Sequence, residues 1–591
     1  MANPVPIQVK PGVVKTLTPN TLRNRWVDAD KVRFETGKPA KIGGWEKAVD
    51  DLLDGVIRGC LAWQTIDGQS VFTGGTWRRL YTLIDGALDD ITPLRTSGTL
   101  GVDPFAVSIG SPIVTVTHAS HGVTQYANVN FSGASAGGGI TISGEYAVTE
   151  VIDANSYTIT HTSNATSTDS TTGGAAVAYE YEINPGYTSS VYGLGYGSGA
   201  YGSGTYGTPR TSGGIALDLR HWFIQTYNGS VLILPSGGTL YFWDQDGGDA
   251  RAEAISNAPT ARAMFVTAEG YVVALGTNDT PMRVRWPDRD DITDWTPSDN
   301  DTGNDRTLRH GSRLVAGTAV GDSMNLIWSD TATYFHQFTG DPETANYATP
   351  LAANNSGLVG PGAYCTADTR AFWMSPHGFQ MFDGTVRDMP RQEEIRAWVF
   401  ERLNRAHAAK SWAAFHSAKD EVWFGYVKEG EVEPTEYVIC SLADFSWTPG
   451  TMDRTAMASY PTPLAGVVMA GSDSYLYNHE TGVDADGSAM EAFIELGQYA
   501  LGNGRVDMDV AGYIVDHERH AGDISLRIRL KGLPQDTADD DDLTTILAEG
   551  DTEADFFMGG RYATVRWTSN EVGGDFALGT PSLLIQPAGG R

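Results

Sequence analysis

Phe379-Gln380-Met381-Phe382, followed by Asp383-Gly384, is an aromatic strand pattern that ends at a strong turn signal. The same arrangement recurs between residues 215 and about 480, with anchor positions that lie 44 to 52 residues apart. The other occurrences are Tyr241-Phe242-Trp243-Asp244, Val284-Arg285-Trp286, Tyr334-Phe335-His336, Val422-Trp423-Phe424 and Tyr475-Leu476-Tyr477. A period of roughly 40–50 residues, with four short strands per unit, is the size of a β-propeller blade. The repeat therefore predicts a β-propeller over residues 215–489, and the strands around Leu80-Tyr81 would add a further blade.

The rest of the chain divides by composition. Residues 1–104 are predicted to be an N-terminal arm and the first propeller strands, beginning near Asp30–Phe34. Residues 105–185 lack Lys and Arg and alternate in short segments such as Val114-Thr115-Val116-Thr117, which is typical of strands with one buried face. We expect an inserted Ig-like β-sandwich there, followed over residues 186–214 by a connector of repeated Tyr-Gly steps.

Residues 490–591 are predicted to form a C-terminal β domain, because Ile524–Leu530 alternates over seven positions. The acidic run Asp539–Asp542 is expected to be a solvated, mobile loop. One helix interrupts the β texture: Pro390 suits its first turn, and the apolar residues that follow recur at helical spacing. These are Ile395, Trp398, Val399 and Leu403.

The charge is strongly acidic, with 41 basic against 72 acidic residues and a net charge of −31. Proteins that grip nucleic acid regardless of sequence carry the opposite sign, because Lys and Arg displace counterions from phosphates. The composition therefore argues against a DNA clamp, although it is compatible with a conduit through which DNA must not stick.

Cysteine usage and hydropathy add few constraints. Cys60, Cys365 and Cys440 are too sparse for a disulfide framework or a metal site, and we expect three small buried hydrophobic residues. No signal peptide and no apolar run of the ~20 residues needed to span a membrane is visible. The chain is therefore expected to be soluble and made in a cytosol.

Strings that resemble catalytic or binding motifs lack the context these motifs need. Gly133-Ala134-Ser135-Ala136-Gly137 fits the nucleophile elbow, but glycines follow where a helix is required. Gly197–Gly202 fits the dinucleotide-binding string, but Thr208-Pro209 stands where a helix should begin.

Candidate metal ligands and paired carboxylates are equally weak. His118 and His121 have no third ligand in view. Around Gly303, three acidic residues resemble a calcium loop that lacks its terminal Glu; they are Asp299, Asp301 and Asp305. Acidic pairs such as Asp290-Asp291 are common in so acidic a chain and do not single out glycosidase carboxylates. The sequence therefore predicts no catalytic, cofactor-binding or metal site, and no enzyme.

One stretch is more specific than any of these. Val32-Arg33-Phe34-Glu35-Thr36-Gly37-Lys38-Pro39-Ala40-Lys41-Ile42-Gly43-Gly44-Trp45, here called the N-terminal motif, resembles the N-terminal signature of tail nozzle, hub or packaged-DNA-stabilisation proteins of short-tailed, podovirus-type bacteriophages. Weaker patches resemble the same family, in particular Gly74–Tyr81, Asp90–Pro93, Arg285–Trp295, Ile327–Asp330 and the insert around Thr115–Gly122.

The resemblance implies a propeller-bearing virion protein without catalytic residues. Six copies would form a homo-hexameric ring around the tail axis, below the portal and the tail adaptor. Tail fibre or spike proteins would be further partners. The ring would retain packaged double-stranded DNA and later let it pass through an acidic channel without tight binding.

Two other functions stay open on the residues alone. Exposed aromatic residues and an inserted sandwich also suit a tail-associated protein that binds a host receptor or a glycan. A propeller hydrolase is the other alternative, for which no catalytic pair can be named.

Overall fold

The computed structural model describes residues 2–16, 22, 24–190, 218–289, 291–296, 304–322, 324–340, 346–461, 466–500 and 504–588. The described residues form a mainly-β protein with β-propeller blades, an inserted β-sandwich and a C-terminal β domain, as predicted. Contacts divide the chain into two compact units. Unit 1 comprises residues 1–51, 309–338 and 348–591, and unit 2 comprises residues 52–308 and 339–347.

Unit 2 contains three four-stranded antiparallel sheets in its described residues, each with its strands in chain order. Blade 1 consists of Cys60–Gln64, Ser70–Gly75, Leu80–Ile84 and Ala87–Asp90; blade 2 of Trp222–Tyr227, Ser230–Pro235, Tyr241–Trp243 and Glu253–Ala254; blade 3 of Ala263–Val266, Val272–Leu275, Arg283–Trp286 and Asn304–Thr307. The further blade expected around Leu80-Tyr81 is therefore confirmed.

The insert follows blade 1 and folds around its own core, as the alternation predicted. Its strands are Leu94–Thr99, Phe105–Val107, Ile113–Thr117, Asn128–Ser132, Gly144–Asp153, Ser156–Thr160, Asp169–Thr172 and Ala178–Glu182. The long strand Gly144–Asp153 pairs with Asn128–Ser132 in one half of the insert and with Ser156–Thr160 in the other. Val114 and Val116 are fully buried, while Thr117 is exposed. The first strand, Leu94–Thr99, lies before the predicted boundary because it pairs with the last strand.

A buried carboxylate ties the insert to blade 1. Glu182, only 5% exposed, lies at the end of the insert's last strand. Its oxygens accept hydrogen bonds from Arg79 Nε at 3.2 Å, from Arg251 Nη1 at 3.2 Å and from Asn128 Nδ2 at 2.8 Å. A carboxylate this buried needs charged partners. The charge-assisted hydrogen bond between Glu182 and Arg79 therefore holds the insert against the start of the third strand of blade 1.

Unit 1 contains four more blades in its described residues. Blade 4 consists of Leu314–Val320, Met324–Ser329, Ala332–Phe335 and Leu351–Asn354; blade 5 of Tyr364–Ala367, Arg370–Ser375, Gly378–Phe382 and Val386–Asp388; blade 6 of Trp412–His416, Glu421–Tyr426, Glu436–Ser441 and Trp447–Thr451; blade 7 of Arg454–Ser459, Val467–Gly471, Leu476–His479 and Trp45–Lys47. Two-residue strands, Gln337–Phe338 and Tyr347–Ala348, lie in the excursion within blade 4. The fourth strand of blade 7 thus comes from the N-terminal part of the chain.

The predicted repeat is right in its period and wrong at one anchor. Five of the six aromatic anchors lie in the third strand of their blades. Val422-Trp423-Phe424 lies instead in the second strand of blade 6, whose third strand is Glu436–Ser441. Both inner strands of blade 6 are buried and apolar, so local pattern does not tell them apart.

The C-terminal β domain is built from both ends of the chain. Its own strands are Ala492–Ala500, Met508–Ile514, His517–Ala521, Ile524–Lys531, Asp541–Leu547, Glu553–Gly560, Tyr562–Ser569, Asp575–Leu578 and Ser582–Pro587. Five N-terminal strands join its sheets: Asn3–Pro6, Lys10–Val13, Arg25–Asp30, Val32–Glu35 and Lys38–Lys41. The assignment of Asp30–Phe34 to the first propeller strands is therefore wrong. Asp30 pairs with Phe493, and Val32–Glu35 pairs with Lys38–Lys41, whose Ala40 pairs with Ala577.

Two further expectations for this half of the chain are refined. Ile524, Leu526, Ile528 and Leu530 are fully buried, as the alternation predicted. Asp541 and Asp542 begin a strand rather than lying in a loop, since Arg527 on the neighbouring strand pairs with Asp542.

The predicted helix exists but is short. It covers Arg396–Arg402, after a 3₁₀ turn at Gln392–Glu394, and a second 3₁₀ turn covers Ala408–Lys410. Ile395 and Val399 are fully buried, which confirms the apolar face, whereas Pro390 lies before the helical residues. Of the Tyr-Gly connector, residues 191–214 lie outside the described part of the chain.

Replacing Gly75 by alanine should destabilise unit 2. A Cβ on Gly75 would lie 2.2 Å from Cδ1 of Trp222, whose indole Nε1 donates to the backbone of Thr76 at 2.5 Å. Because that ring is fully buried, we expect a loss of roughly 1–3 kcal/mol, measured as a lower thermal midpoint by tryptophan fluorescence. Gly101→Ala is the matched control, since nothing lies within 4 Å of its added Cβ. Equal midpoints for the two variants would contradict the packing described here.

Candidate functional site

The N-terminal motif places one arginine in the interior of unit 1. Arg33, in the strand Val32–Glu35, is 1% exposed. Its two terminal nitrogens donate to the two carboxylate oxygens of Glu480, each at 2.7 Å. Its Nε lies 3.1 Å from Oε1 of Glu421. The guanidinium is therefore clamped between two carboxylates from different blades, an arrangement here called the Arg33 junction.

Each partner comes from a different blade. Glu421 begins the second strand of blade 6, is 3% exposed, and also accepts a hydrogen bond from the indole of Trp423 at 3.1 Å. Glu480 follows the third strand of blade 7 with a left-handed backbone, φ 61°. Arg33 thus joins the C-terminal β domain, blade 6 and blade 7 through one side chain.

The electrostatics of the junction follow from burial and proximity. Burial raises the pKa of Glu421 to about 7, more than the pull of Arg33 lowers it. Burial also acts on Glu480, but the charge and hydrogen bonds of Arg33 hold the pKa of that carboxyl below its ordinary value. Burial lowers the pKa of His416 to about 4, and its Nε2 lies 3.9 Å from Glu480. Among the described residues, no hydrogen-bond partner faces either ring nitrogen of His416.

A second layer of charge surrounds the junction. Glu35 accepts hydrogen bonds from Lys419 Nζ at 2.6 Å and from Arg519 Nη1 at 3.1 Å. Arg519 also pairs with Asp575 at 2.8 Å. Although burial pushes the pKa of Glu35 upwards, these hydrogen bonds hold it below its ordinary value. The outer pairs are half-exposed, so their individual contributions to stability are small.

The glycines of the motif allow the backbones to meet. A Cβ on Gly43 would lie 2.6 Å from Cα of Glu480, and one on Gly44 would lie 2.3 Å from the carbonyl oxygen of Asp484. Gly44 N donates to the carbonyl of Gly482, and Trp45 N to that of Asp484, each at 2.9 Å. Only residues without a side chain permit this approach, which explains why the motif carries two consecutive glycines.

A cavity of about 840 Å³ lies beside the motif in unit 1. It is here called the Arg454 cavity. Its lining residues are Lys31, Trp45, Lys428, Glu431, Val432, Glu433, Thr435, Glu436, Thr451, Met452, Asp453, Arg454 and Ser472. The walls therefore combine an aromatic ring, cations and carboxylates, and its volume is typical of sites that take small molecules.

Arg454 is the most buried cation of the cavity wall, with 6% of its surface exposed. Its Nε donates to Nε2 of His479 at 2.9 Å, and its Nη1 donates to the backbone of Asp453 at 2.9 Å. Its guanidinium carbon lies 4.1 Å from the ring centroid of Tyr477 and 5.0 Å from that of Trp45. Burial lowers the pKa of Arg454 to about 10, so it remains a cation at neutral pH.

The candidate residues named from sequence are dispersed and engaged elsewhere. His121 Nε2 pairs with the carbonyl of Asp153 at 2.9 Å, and its Nδ1 accepts from the backbone of Val123 at 3.1 Å. His118 Nδ1 lies 2.9 Å from the hydroxyl of Tyr181. Since both nitrogens of His121 are used, the two histidines do not form a chelating pair.

The remaining strings also lack the geometry of a site where the structure describes them. Ser135 lies in a loop and donates its backbone N–H to Gly173, with no helix following. Asp305 lies in a strand beside Arg283, and Asp291 accepts hydrogen bonds from Thr293. Gly197–Gly202, Asp290, Asp299, Asp301 and Gly303 lie outside the described residues.

The cysteines and the other potential metal ligands do not form a site in the described part of the chain. Cys365 and Cys440 are buried, Cys60 is half-buried, and all three are free thiols. Within the described ranges no group of three or more His, Cys, Asp or Glu side chains could hold a metal ion. The helices described here are all too short or too polar to cross a membrane.

Sequence reasoning found the motif but missed its partners. Glu421, Glu480 and Arg454 lie hundreds of residues from Arg33 and Trp45, and none belongs to a recognisable string. One sequence feature could have indicated these partners: a single charged residue next to apolar or aromatic strand residues. Examples are Glu421-Val422-Trp423-Phe424 and Val32-Arg33-Phe34. Such a charge is expected to be paired when the strand is buried.

Comparisons with known proteins find likeness at the level of fold only. No family model and no curated protein matches the chain. Among solved structures it is similar to a streptogramin B lyase (11% identity, 44% of this chain and 92% of the other, TM-score 0.26) and to the WD40 β-propeller domain of Doa1 (10%, 43% and 90%, TM-score 0.23). It is also similar to the phage phi92 endosialidase (12%, 76% and 58%, TM-score 0.17). At such low identities and TM-scores these likenesses say nothing about activity.

Removing the charge of Arg33 should strongly destabilise unit 1. Arg33→Met leaves the buried Glu421 and the partly exposed Glu480 without their cation, which costs about 3–5 kcal/mol. We expect a lower midpoint of chemical denaturation, partly restored by adding Glu421→Gln. The matched control is Arg527→Met, because Arg527 also makes a two-armed pair, with Asp542 at 3.0 and 2.5 Å, but is 48% exposed. There the loss should stay within about 1 kcal/mol. Equal losses for both arginines would contradict the junction.

His416 should make unit 1 sensitive to mild acid. Because its pKa is lowered from 6.5 to about 4, the stability it contributes is complete above pH 6.5 and is lost as pH falls through 4. Glu421 acts in the opposite direction, since its raised pKa contributes stability that is lost as pH rises from 4.5 through about 7. His416→Phe removes only the first effect, so its denaturation midpoint should fall less than that of the wild type between pH 6.5 and 4. Parallel pH profiles would show that His416 is not held neutral.

Proposed function

We propose that this protein is a virion structural protein, the nozzle or hub subunit of a short-tailed bacteriophage tail. Six copies form a ring below the portal and adaptor, carry fibre or spike proteins, retain packaged DNA and pass it during ejection. The observation that carries the proposal is the location of the N-terminal motif, on which the family resemblance rests. Arg33 of this motif forms the Arg33 junction, and Gly43 and Gly44 let the backbone approach Glu480 and Asp484, so the motif holds strands and blades together.

The use of polar groups in unit 1 favours a structural role over catalysis. Arg33 is ion-paired with both Glu421 and Glu480 in the interior, and Glu35 is ion-paired with both Lys419 and Arg519. Groups consumed in this way are poor acids, bases or nucleophiles, because a reacting group must reach its substrate. They are well suited to a subunit that has to stay intact under the pressure of packaged DNA.

The net charge supports passage of DNA rather than binding. With −31 charges the chain repels phosphate backbones within about a Debye length, ~8 Å at physiological salt. DNA in contact with such a surface finds few cations to displace its counterions, so it does not adhere. A conduit needs that property, whereas a clamp needs its opposite.

A second candidate function is binding of a host glycan, and the Arg454 cavity favours it. Aromatic rings next to carboxylates are common in sugar sites, since the ring packs on the sugar face and the carboxylates accept its hydroxyl hydrogens. Trp45, Glu431 and Asp453 supply these groups.

The oligomeric state tests the nozzle proposal directly. We expect native mass measurement of the purified chain, alone and with the tail adaptor, to give a homo-hexamer, and electron microscopy to show a ring. A chain that stays monomeric at micromolar concentration and also ignores the adaptor would overturn the proposal.

Excision of the insert tests whether the insert takes part in tail assembly or in adsorption to the host cell. The insert's ends pair directly, Leu94 with Glu182, so the two residues can be joined by Asn-Gly, a two-residue hairpin turn. This join keeps Glu182 for Arg79 and Arg251. If the insert contacts tail partners, particles carrying the excised chain fail to assemble. Intact particles that no longer adsorb to cells would favour the receptor-binding function.

A further inference from the structure

The six-stranded sheet of the C-terminal β domain has two edges of different character. Its strand order is Lys10–Val13, Arg25–Asp30, Ala492–Ala500, Tyr562–Ser569, Ile524–Lys531 and Asp541–Leu547. At one edge Lys10–Val13 pairs irregularly with its neighbour and contains Pro11, which has no N–H to donate. At the other edge Asp541–Leu547, here called the open edge, pairs with Ile524–Lys531 over seven residues without a register shift.

The open edge presents unpaired backbone groups on its outer side. In an antiparallel ladder every second residue turns its N–H and C=O away from the neighbouring strand. None of the described strands pairs with that outer side. The backbone of the open edge is therefore a template to which a further strand can add.

Proteins guard such edges with proline, lysine or a bulge, or by keeping the edge strand short. The open edge contains no proline, no lysine and no bulge, and its only charged residues, Asp541 and Asp542, lie at its beginning. The longer edge strand Glu553–Gly560 has a register shift in its ladder, and the outermost strands of the described blades are at most five residues long. The open edge is thus the longest regular edge among the strands that the structure describes.

The side chains of the open edge favour the addition of a strand. Ile546 is 53% exposed, and Leu543 packs against the core of the domain while remaining only partly buried. Thr544 and Thr545 lie between them and are β-branched, which suits extended backbone. A strand beside the open edge would remove apolar surface of Leu543 and Ile546 from water, which is favourable.

We propose that the open edge binds an extended segment of another protein, in which apolar and basic residues alternate. In this mode of recognition the main-chain ladder supplies affinity, and alternate side chains supply specificity. The inference goes beyond the nozzle function and does not depend on it, since a receptor-binding protein could recruit a partner by the same edge.

The charges at the beginning of the open edge select a basic segment. Asp542 is paired with Arg527, and Asp539 lies 3.7 Å from Lys531. Asp541 is only half-buried and forms no salt bridge with a described residue. Since opposite charges directly across two strands stabilise a sheet and like charges destabilise it, a lysine or arginine next to Asp541 is favoured.

A second copy of this chain is a poorer occupant. Two open edges paired antiparallel about Thr544 would place the carboxylate of Asp541 opposite the apolar side chain of Leu547. A parallel pair in register would set the aspartates of both copies side by side, where they repel. Each copy also carries a net charge of −31, so a basic partner is the complementary one.

Fluorescence anisotropy of labelled heptapeptides with the full chain tests the proposal. The probe alternates lysine and valine and has lysine at both ends, so either strand direction brings a lysine to Asp541. One control has glutamate in place of lysine. The other has proline in place of the central valine, which keeps the charge and removes an N–H of the ladder. We expect the lysine–valine peptide to bind at least about tenfold more tightly than either control at physiological salt.

Two matched variants place the binding at the open edge. Ile546→Lys sets a cation on the exposed side of the strand and should weaken binding of the lysine–valine peptide about tenfold or more. Ile109→Lys makes the same change at a turn of the insert, where Ile109 is 66% exposed, and should leave the affinity unchanged. If Ile546→Lys lowers the thermal midpoint, Asp541→Lys decides instead, because it should narrow the difference between the lysine and glutamate peptides.

Three results would overturn the proposal. The first is equal binding of the lysine–valine and proline peptides, which would show attraction to an acidic surface without a ladder. The second is binding that survives Ile546→Lys in a stably folded variant. The third is a lower assembled mass of the Ile546→Lys variant without peptide, which would assign the open edge to contacts between copies. The first two leave the ring of the nozzle proposal untouched, because that ring is detected by mass.

Discussion

The burial of one guanidinium is the constraint on which unit 1 depends. Arg33 has no access to water, so folding is favourable only if Glu421 and Glu480 arrive with it. These residues come from the N-terminal motif, blade 6 and blade 7, with 447 positions between Arg33 and Glu480. The ends of the chain must therefore be ordered together, and so distant a closure is intrinsically slow to form. The junction therefore couples the order of all three elements, because Arg33 is satisfied only when each of them is in place.

Unit 2 contains a comparable buried ionic cluster, in which the signs of the charges are reversed. There the buried group is a carboxylate, Glu182, and the surrounding donors are Arg79, Arg251 and Asn128. The pair of strands that carries the insert, Leu94–Thr99 and Ala178–Glu182, ends at this carboxylate. The insert is attached by two adjacent strands, and the buried carboxylate at their end fixes it to Arg79 of blade 1. In this strongly acidic chain, the arginines of these two clusters therefore hold separate strands and blades together.

The parts of the fold that rest on local periodicity could be predicted from the sequence. The aromatic repeat gave the blades, and alternation in Val114–Thr117 and Ile524–Leu530 gave the insert and the C-terminal domain. Pairing between distant strands could not be predicted, because hydrogen bonding in a sheet carries no sequence code of its own. For that reason the prediction that Val32–Glu35 is a propeller strand is wrong: the strand pairs with Lys38–Lys41, and Ala40 of that strand pairs with Ala577 of the C-terminal domain. Only part of the candidate site could be predicted from the sequence. The N-terminal motif contains Arg33 and Trp45, but their partners are single charged residues in or next to apolar strands, which no motif marks.

The junction and the cavity share a continuous set of contacts. Arg454 donates to His479, His479 stacks on Trp45 at 5.2 Å, and the next residue, Glu480, holds Arg33. Burial and the neighbouring Arg454 keep the pKa of His479 well below its ordinary value, so this histidine accepts the hydrogen bond as a neutral ring. A change at His479 therefore acts on both sides: it alters the wall of the Arg454 cavity and the backbone that presents Glu480 to Arg33.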